Sequence, residues 1–400
     1  MGLGKTFIGS EKLIQLNNTV NLIVCQKSKI DDWFNHFNDY YDCSLYDLRI
    51  DLFGFLYDIP HPDPRFPIIG IINYDLIWRR PELLKLSNFT LLLDESSLIQ
   101  NSTAKRTKFI LKLKPKNVIL LSGTPCSGKY EHLWTQSKLL GWNIKKSTYE
   151  QQYINWRLLD LGPRAFGPRM VRIVDKKNPY KNVERLKSKL RENGALFKKT
   201  EEVMDLPEQT FINVRCKPIP QYKKFLKDKI IKINDRELVG DTRLTLRLYA
   251  RMLCGQYNPN KLEALEDLIN STNDRLIIFY NFNEELDQIK SVIKDRPISY
   301  INGSIKDLSN YNNEDDSITL VQYQAGSKGH NLQKANKIIY FSPTEKCEDW
   351  MQSIKRIHRI GQKNNCFYYK LITEGTVEEG IYRALERGTD YTDELFREEI

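Results

Sequence analysis

The chain has 400 residues, more than one hydrophobic core usually serves, so two domains are expected. With 40% hydrophobic and 28% charged residues it can bury real cores, which excludes a disordered polymer. Lysines and arginines number 61 against 51 aspartates and glutamates, a net charge of +10 that favours a polyanionic partner such as nucleic acid. The 7 cysteines show no CxxC or Cys/His spacing, so reduced thiols are expected rather than zinc or a disulfide framework. No apolar run approaches membrane-spanning length and no signal peptide precedes the first motif. A soluble, cytoplasmic protein with no membrane contact is the expectation.

Along the chain, short apolar runs alternate with helical patterns, the signature of βα units and parallel sheets. The opening Met1-Gly2-Leu3-Gly4-Lys5-Thr6 leads into an apolar-periodic helix over 7–16. Gly-Lys-Thr at a helix start is the back half of a phosphate-binding loop, where backbone N–H groups and the helix dipole hold phosphate. In that role Gly2, Leu3, Gly4, Lys5 and Thr6 surround the nucleotide. Lys5 reaches the β/γ-phosphates and the Thr6 hydroxyl ligates magnesium. Alone, such a tripeptide is more often coincidence; the motifs after it reverse those odds. The full loop pattern needs a small residue two places before Met1, so the chain is expected to be truncated within the loop.

Buried strands are expected at 21–25, 68–74, 89–94 and 117–122. The third ends in Asp94-Glu95. Two carboxylates at a strand's C-terminal end, beside a phosphate loop, have distinct tasks: Asp94 holds magnesium, and Glu95 orients and polarises the attacking water. An acidic N-cap for the next helix is the plainer alternative. The fourth strand runs into Ser122-Gly123-Thr124-Pro125, either a simple turn or a linker whose hydroxyls couple the nucleotide site to a nucleic-acid track.

The stretch 141–260 differs in character: Lys/Arg-rich, broken by Gly162-Pro163 and Gly167-Pro168, with helical patterns at 182–192 and 221–233. It reads as a helical insertion followed by a connector. Strands resume at 275–280, 298–301, 317–322, 337–341 and 366–372. The small-residue loop Gln324-Ala325-Gly326-Ser327-Lys328-Gly329-His330-Asn331-Leu332 allows close backbone approach to a ligand. Near the end, Gln352-Ser353-Ile354-Lys355-Arg356-Ile357-His358-Arg359-Ile360-Gly361-Gln362 sets two arginines one helical turn apart on one face. Arginines so placed can stabilise charge developing on a γ-phosphate, with Gln352 beside them. His358 alone is better explained as a hydrogen-bonded structural residue.

The motifs appear in the order found in helicase superfamily two, and several details resemble the Swi/Snf-type DNA-translocating ATPases. Leu22-Ile23-Val24-Cys25-Gln26-Lys27-Ser28 followed by Asp32-Trp33-Phe34 is similar to that family's strand, Lys-Ser turn and Trp-bearing helix. Ile71-Ile72-Asn73-Tyr74 looks like its strand-Tyr motif, and Asp94-Glu95-Ser96-Ser97-Leu98-Ile99-Gln100-Asn101 resembles its acidic box. The Arg-Ile-His-Arg-Ile-Gly-Gln ending and the segment Lys370–Glu379 match second-lobe motifs. Ser97 stands where many relatives have His, and Cys126-Ser127-Gly128 replaces an apolar-Asn sequence.

The resemblance implies two RecA-like parallel-sheet lobes with a helical insertion and connector between them. The expected boundaries are an ATP-binding lobe at 1–140, the insertion at 141–207, the connector at 208–260 and the C-terminal helicase lobe at 261–400. ATP and Mg2+ would bind Lys5, Thr6, Asp94 and Glu95, with Gly329 facing the nucleotide cleft. Arg356, Arg359 and Gln352 would complete catalysis when the lobes close. Lys27, Ser28, Ser122, Thr124, Ser327 and Lys328 would contact nucleic acid, most simply duplex DNA, by its backbone. The compact build resembles phage or bacterial members. Three readings stay open here: a translocating ATPase, a strand-separating helicase, and a catalytically impaired DNA-binding remnant.

Overall fold

The computed structural model describes the chain except residues 1–3, 62, 64, 127, 165–166, 176, 198–204, 234, 327–330, 393–394 and 397–400; at 160–164, 167–169 and 325–326 it gives backbone only. Two compact units divide it, Gly4–Lys199 and Thr200–Ile400. Among the described residues no helix is long and apolar enough to cross a membrane.

In the first unit, β1 (Val20–Cys25), β2 (Ser44–Asp47), β3 (Ile68–Asn73), β4 (Phe89–Asp94) and β5 (Asn117–Leu121) form a parallel sheet in the order β2-β3-β1-β4-β5. Every residue of β1 and β3 is buried, so these strands read as unbroken apolar runs rather than alternating ones. The polar Asn21 is held in part: its Nδ2 donates to Asn18 O at 2.9 Å, and Asn18 Nδ2 in turn donates to Thr90 Oγ1 at 3.0 Å, while Asn21 Oδ1 has no partner among the described residues. Helix α1 (Lys5–Gln15) lies against β4 and β5, and Gly9 sets the approach. A Cβ at Gly9 would come within 2.6 Å of Leu121 Cδ1 and 3.3 Å of Leu92 Cδ1. Helix α2 (Ile30–Tyr40) covers the sheet with Trp33 and Phe37, both buried.

The expected strands thus appear in place, and the edge strand β2 is an addition. With four residues of intermediate burial it has too little apolar content to stand out in sequence. The region expected as a helical insertion is corrected in part. It holds an antiparallel hairpin, β6 (Trp156–Arg164) and β7 (Gly167–Val174), before the helix Val183–Glu192. The runs flanking the Gly-Pro pairs are rich in β-branched and large apolar residues, and Gly-Pro ends a helix but suits a ribbon tip.

The second unit is built on β8 (Gln209–Cys216), β11 (Leu276–Tyr280), β12 (Ile298–Ile301), β13 (Lys306–Asp307), β14 (Ile318–Gln322), β15 (Lys337–Tyr340) and β16 (Cys366–Thr373). They form one sheet in the order β13-β12-β14-β11-β15-β16-β8. All pair in parallel except β13 with β12. The stretch expected as a helical connector over 208–260 is corrected: its first residues are strand β8, paired along its whole length with β16. Alternating burial at this sheet edge hides the strand from a search for apolar runs. The helix expected over 221–233 also stops early, at Asp228, because Lys229 turns left-handed (φ 59°) and ends it. The β-branched run beyond it pairs as a hairpin, β9 (Ile230–Ile233) with β10 (Arg236–Val239).

One buried ion pair fastens this unit. Lys261 Nζ, wholly buried, donates to Glu378 Oε2 at 2.6 Å, and Glu378 Oε2 also accepts from Thr373 N at 2.9 Å. The pair ties the helix Pro259–Asn270 to the helix Val377–Glu386. Removing one partner strands a charge in the core, which typically costs about 3–5 kcal/mol. Lys261→Met should therefore lower the urea midpoint of this unit sharply. Lys261→Met combined with Glu378→Leu should recover more than half of the loss; equal loss in the double variant would show that packing, not stranded charge, is responsible.

Candidate functional site

Parallel strands bring their carboxyl ends to one edge of a sheet, where open α/β sheets bind ligands. In the first unit that edge collects the residues singled out from sequence. Gly4, at φ 66°, takes the left-handed conformation that glycine adopts without a Cβ penalty and opens α1. Lys5 is the first residue of α1 and Thr6 the second. Across from them β4 delivers Asp94 and Glu95. Lys5 Nζ meets Glu95 Oε1 at 2.6 Å, with both side chains mostly covered. The other carboxylate oxygen, Glu95 Oε2, is buried without a hydrogen-bond partner among the described residues.

Glu95 itself sits at φ 52°, ψ 58°. For a residue with a Cβ this conformation costs roughly 1–2 kcal/mol, and such strain persists only where the surroundings impose it. The sharp turn brings the side chain back to α1. Asp94 is held differently: Trp33 Nε1 donates to its Oδ2 at 3.1 Å, and Tyr74 Oη donates to its backbone O at 2.8 Å. Burial, above all, raises the Asp94 carboxyl above its ordinary range; Lys5 and the Trp33 N–H pull it down, while Glu95 pushes it up.

The flanking loops are tied to this centre. Ser96 Oγ donates to Gln136 Oε1 at 3.0 Å, and Gln136 Nε2 donates to Pro125 O at 2.6 Å. Gln100 Nε2 reaches the same carbonyl at 2.9 Å. The acidic segment after β4 and the Gly-Thr-Pro segment after β5 are therefore one hydrogen-bonded body. Ser122 Oγ accepts from Thr124 N at 3.2 Å, and Thr124 Oγ1 is buried with no partner among the described residues. Lys27 and Ser28 lie exposed in the short helical turn Lys27–Lys29 at the end of β1, on the same edge. Sequence singles out Trp33 and Tyr74 as motif members without their task of orienting Asp94. Gln136 carries no sequence signal, because its partners are 40 and 11 residues away.

In the second unit the arginine segment differs from expectation. The helix Cys347–Ile354 ends before Arg356, so Arg356 and Arg359 lie in the turns beyond it rather than on one helical face. Helical spacing gives no sign of this end, because the stop is imposed by tertiary anchoring. Gln362 Nε2 donates to Gln333 O at 3.1 Å, Ala335 O at 2.9 Å and Ile357 O at 3.3 Å, folding the segment back on itself. Gly361, at φ 91°, makes the reversal possible. Arg356 is buried, and its carbonyl accepts from Leu332 N at 3.2 Å. Arg359 donates through Nη1 to Asn331 Oδ1, and burial lowers its pKa. Its Nε is buried with no partner among the described residues. Gln352 lies within the helix, buried, donating to Glu348 Oε1 at 3.0 Å. His358 Nε2 lies 2.9 Å from Pro207 O, the structural role expected of it. Gly2 and Leu3, and Ser327, Lys328 and Gly329, lie outside the described residues.

The raised Asp94 carboxyl has a stability consequence. An acid whose folded pKa exceeds its unfolded one weakens the fold as pH rises from the unfolded value through the folded one, and the full penalty holds above it. Asp94→Asn keeps an acceptor for Trp33 and removes the charge. It should be more resistant to urea than the parent at pH 7, with the gap closing as pH falls into the ordinary carboxylate range. A gap independent of pH would show that Asp94 ionisation does not oppose folding.

Comparison with known proteins places the chain in a family. A model described as the SNF2-related domain matches residues 1–262, and one described as the helicase conserved C-terminal domain matches residues 260–361. The chain is similar to the ISWI chromatin-remodeling complex ATPase ISW1 of Saccharomyces cerevisiae, 23% identical over 443 residues that cover 97% of this chain and 37% of that protein. It is also similar to the DNA excision repair protein ERCC-6-like of Bos taurus, 26% identical over 380 residues covering 73% of this chain and 30% of that protein. It thus spans well under half the length of either relative. Among solved structures it is similar to the Sulfolobus solfataricus SWI2/SNF2 ATPase core in complex with dsDNA, at 22% identity and a TM-score of 0.42, covering 100% of this chain and 87% of that one. The first match runs over residues 1–262 of 400 and takes in Lys5, Asp94 and Glu95, while the second takes in Arg356 and Arg359; the chain belongs to the SNF2-related family.

Proposed function

We propose that the chain is a nucleic-acid-dependent ATPase that hydrolyses ATP to ADP and phosphate and uses the cycle to move along duplex DNA. The observation that carries this reading is the contact between Lys5 at the start of α1 and Glu95 at the end of β4. A helix start with a lysine and a threonine, facing two carboxylates at a strand end, is a donor set suited to a magnesium-bound triphosphate. Glu95 Oε2, buried and without a partner among the described residues, fits as well, since it can accept from a donor such as water.

In this reading Lys5 and the amides of the first turn hold the β/γ-phosphates. The Thr6 hydroxyl and the Asp94 carboxylate would hold Mg2+, whose charge offsets that of the phosphates. Trp33 and Tyr74 keep Asp94 oriented for that task. Glu95 orients a water for attack on the γ-phosphorus as the bond to the bridging oxygen breaks, and it takes up the water's proton. Arg356 and Arg359 supply positive charge to the transferring phosphoryl group, with Gln352 supporting them and Gly329 near the nucleotide.

Nucleic acid is held by its backbone through Lys27, Ser28, Ser122 and Thr124, together with Ser327 and Lys328. The basic excess supports such a partner, and the names of two relatives, a chromatin-remodeling ATPase and a DNA repair protein, favour DNA. The hydrogen-bonded body around Gln136 supports coupling, because it joins the Glu95 turn to the Ser122–Thr124 segment.

Phosphate release measured with and without duplex DNA tests the proposal. Duplex should stimulate turnover, and Lys5→Ala or Glu95→Gln should each reduce kcat by about 10²–10⁴-fold. Arg359→Ala should cost on the order of 10³-fold. A translocase should displace a triplex-forming third strand while leaving an annealed strand in place. Turnover undiminished in Lys5→Ala and Glu95→Gln would sink the reading.

A further inference from the structure

The charge of this chain is not spread evenly. Residues 141–199 hold 15 lysines and arginines against 5 aspartates and glutamates, an excess of 10 that equals the net charge of the entire chain. The remaining residues balance at 46 of each sign (61 less 15 and 51 less 5). A dispersed basic surplus is usually a solvated surface. A surplus gathered wholly into one small appendage is a local field.

The appendage is also well built. Tyr149, Tyr153, Ile154, Leu186 and Leu190 form its own core, packed on Cys126 and Leu133 of the segment that follows β5. From this base rises the ribbon β6–β7. Where ribbon meets base there is a cavity of about 490 Å3 with Asn155, Trp156, Arg172, Asp175, Asn178 and Lys181 in its wall. The wall is fixed by backbone bonds: Asp175 N to Asn155 O at 2.8 Å, Asn155 N to Pro179 O at 2.9 Å, and Lys181 N to Tyr153 O at 3.0 Å. The acidic member, Asp175, uses Oδ1 to accept from Lys177 N at 2.9 Å and Asn178 N at 3.4 Å. Arg172 is stacked with its guanidinium carbon 4.3 Å from the Trp156 ring centroid, and a loose 3.6 Å approach to Glu150 leaves its side chain 53% exposed. Lys181, Lys177 and Arg157 are exposed.

We propose that the segment 141–199 is a second grip on duplex DNA, in which a backbone phosphate seats in this cavity between Arg172 and Lys181 while Lys177 follows the same strand. Stacking on Trp156 pre-orders the arginine, so little rotamer freedom is lost when the phosphate arrives. A polar cavity walled by two exposed cations takes a phosphate rather than an apolar group, and a regular row of phosphates is what an excess of ten positive charges over residues 141–199 matches. Because these groups reach only the backbone, they add affinity without base preference. This inference rests on duplex DNA being the partner, but not on any step of ATP chemistry.

Nucleotide-free binding of the full chain to a duplex of mixed sequence, followed across salt concentrations, tests it. Arg172→Ser, Lys177→Ser and Lys181→Ser combined should weaken binding and flatten the slope of log K against log[salt] by about 0.9 for each phosphate no longer neutralised. As a control, Lys223→Ser, Lys224→Ser, Lys227→Ser and Lys306→Ser combined, all at exposed positions of the second unit, should leave the slope unchanged. If the parent binds and the first variant keeps the parent slope, or the control flattens equally, the second grip is wrong while the motor reading stands. If the parent shows no salt-dependent duplex binding, the partner reading fails with it. Equal loss of binding to single-stranded RNA or to polyglutamate would make the site a general polyanion trap and overturn the duplex assignment.

Discussion

A parallel strand cannot be joined to its neighbour by a tight turn; each connection must cross back over a face of the sheet before the next strand begins. In the first unit this one constraint sends the ends of β1, β3, β4 and β5 to a common edge and puts helices over both faces. Lys27, Tyr74, Glu95 and Ser122 are far apart in the chain, yet they leave the sheet side by side. The site needs no loop of unusual length. It needs only that the strands stay in register, which their buried apolar faces enforce.

Polar groups then refine what the sheet arranges coarsely. Gln136 joins the turn after β4 to the loop after β5, and Gln362 pins the arginine segment of the second unit to the chain around Gln333 and Ala335. Gln136 accepts from the Ser96 hydroxyl and donates to the Pro125 carbonyl, while Gln362 donates to several carbonyls at once. Such fixings set position to a fraction of an ångström, which charge stabilisation of phosphoryl chemistry demands.

Much of this is legible in the sequence, and the exceptions share a cause. Apolar runs announce strands, whether buried throughout like β1, β3 and β11 or partly exposed like β5 and β12, so β1, β3, β4, β5, β11, β12, β14, β15 and β16 can be read within a residue or so of their ends. The strand β8 escapes because an edge strand alternates, and Gln209 to Cys216 reads much like helix or loop. The hairpin β6–β7 escapes because basic residues within it suggest a solvated helix. In the site, Lys5, Asp94 and Glu95 are legible as chemistry at strand and helix ends. The end of the helix at Ile354 is not, since helical periodicity continues through Arg359 while the segment's partners, among them those of Gln362, Arg356 and His358, lie far off in the chain. Gln136 is invisible for the same reason: its value lies in what it touches, not in its neighbours along the chain.

The meeting of Lys5 with Glu95 leaves one more result, on the chemistry proposed. Before any triphosphate arrives, the carboxylate meant to activate water and the ammonium meant to hold phosphate are engaged with each other. The ammonium holds Oε1 alone, so the carboxylate is pinned on one side while Oε2 is left for a donor. An incoming polyphosphate competes for the ammonium and, by winning it, sets the base at liberty beside the very atom it serves. On the proposed chemistry, loading the phosphate would then also reorient Glu95, through a contact between two side chains alone.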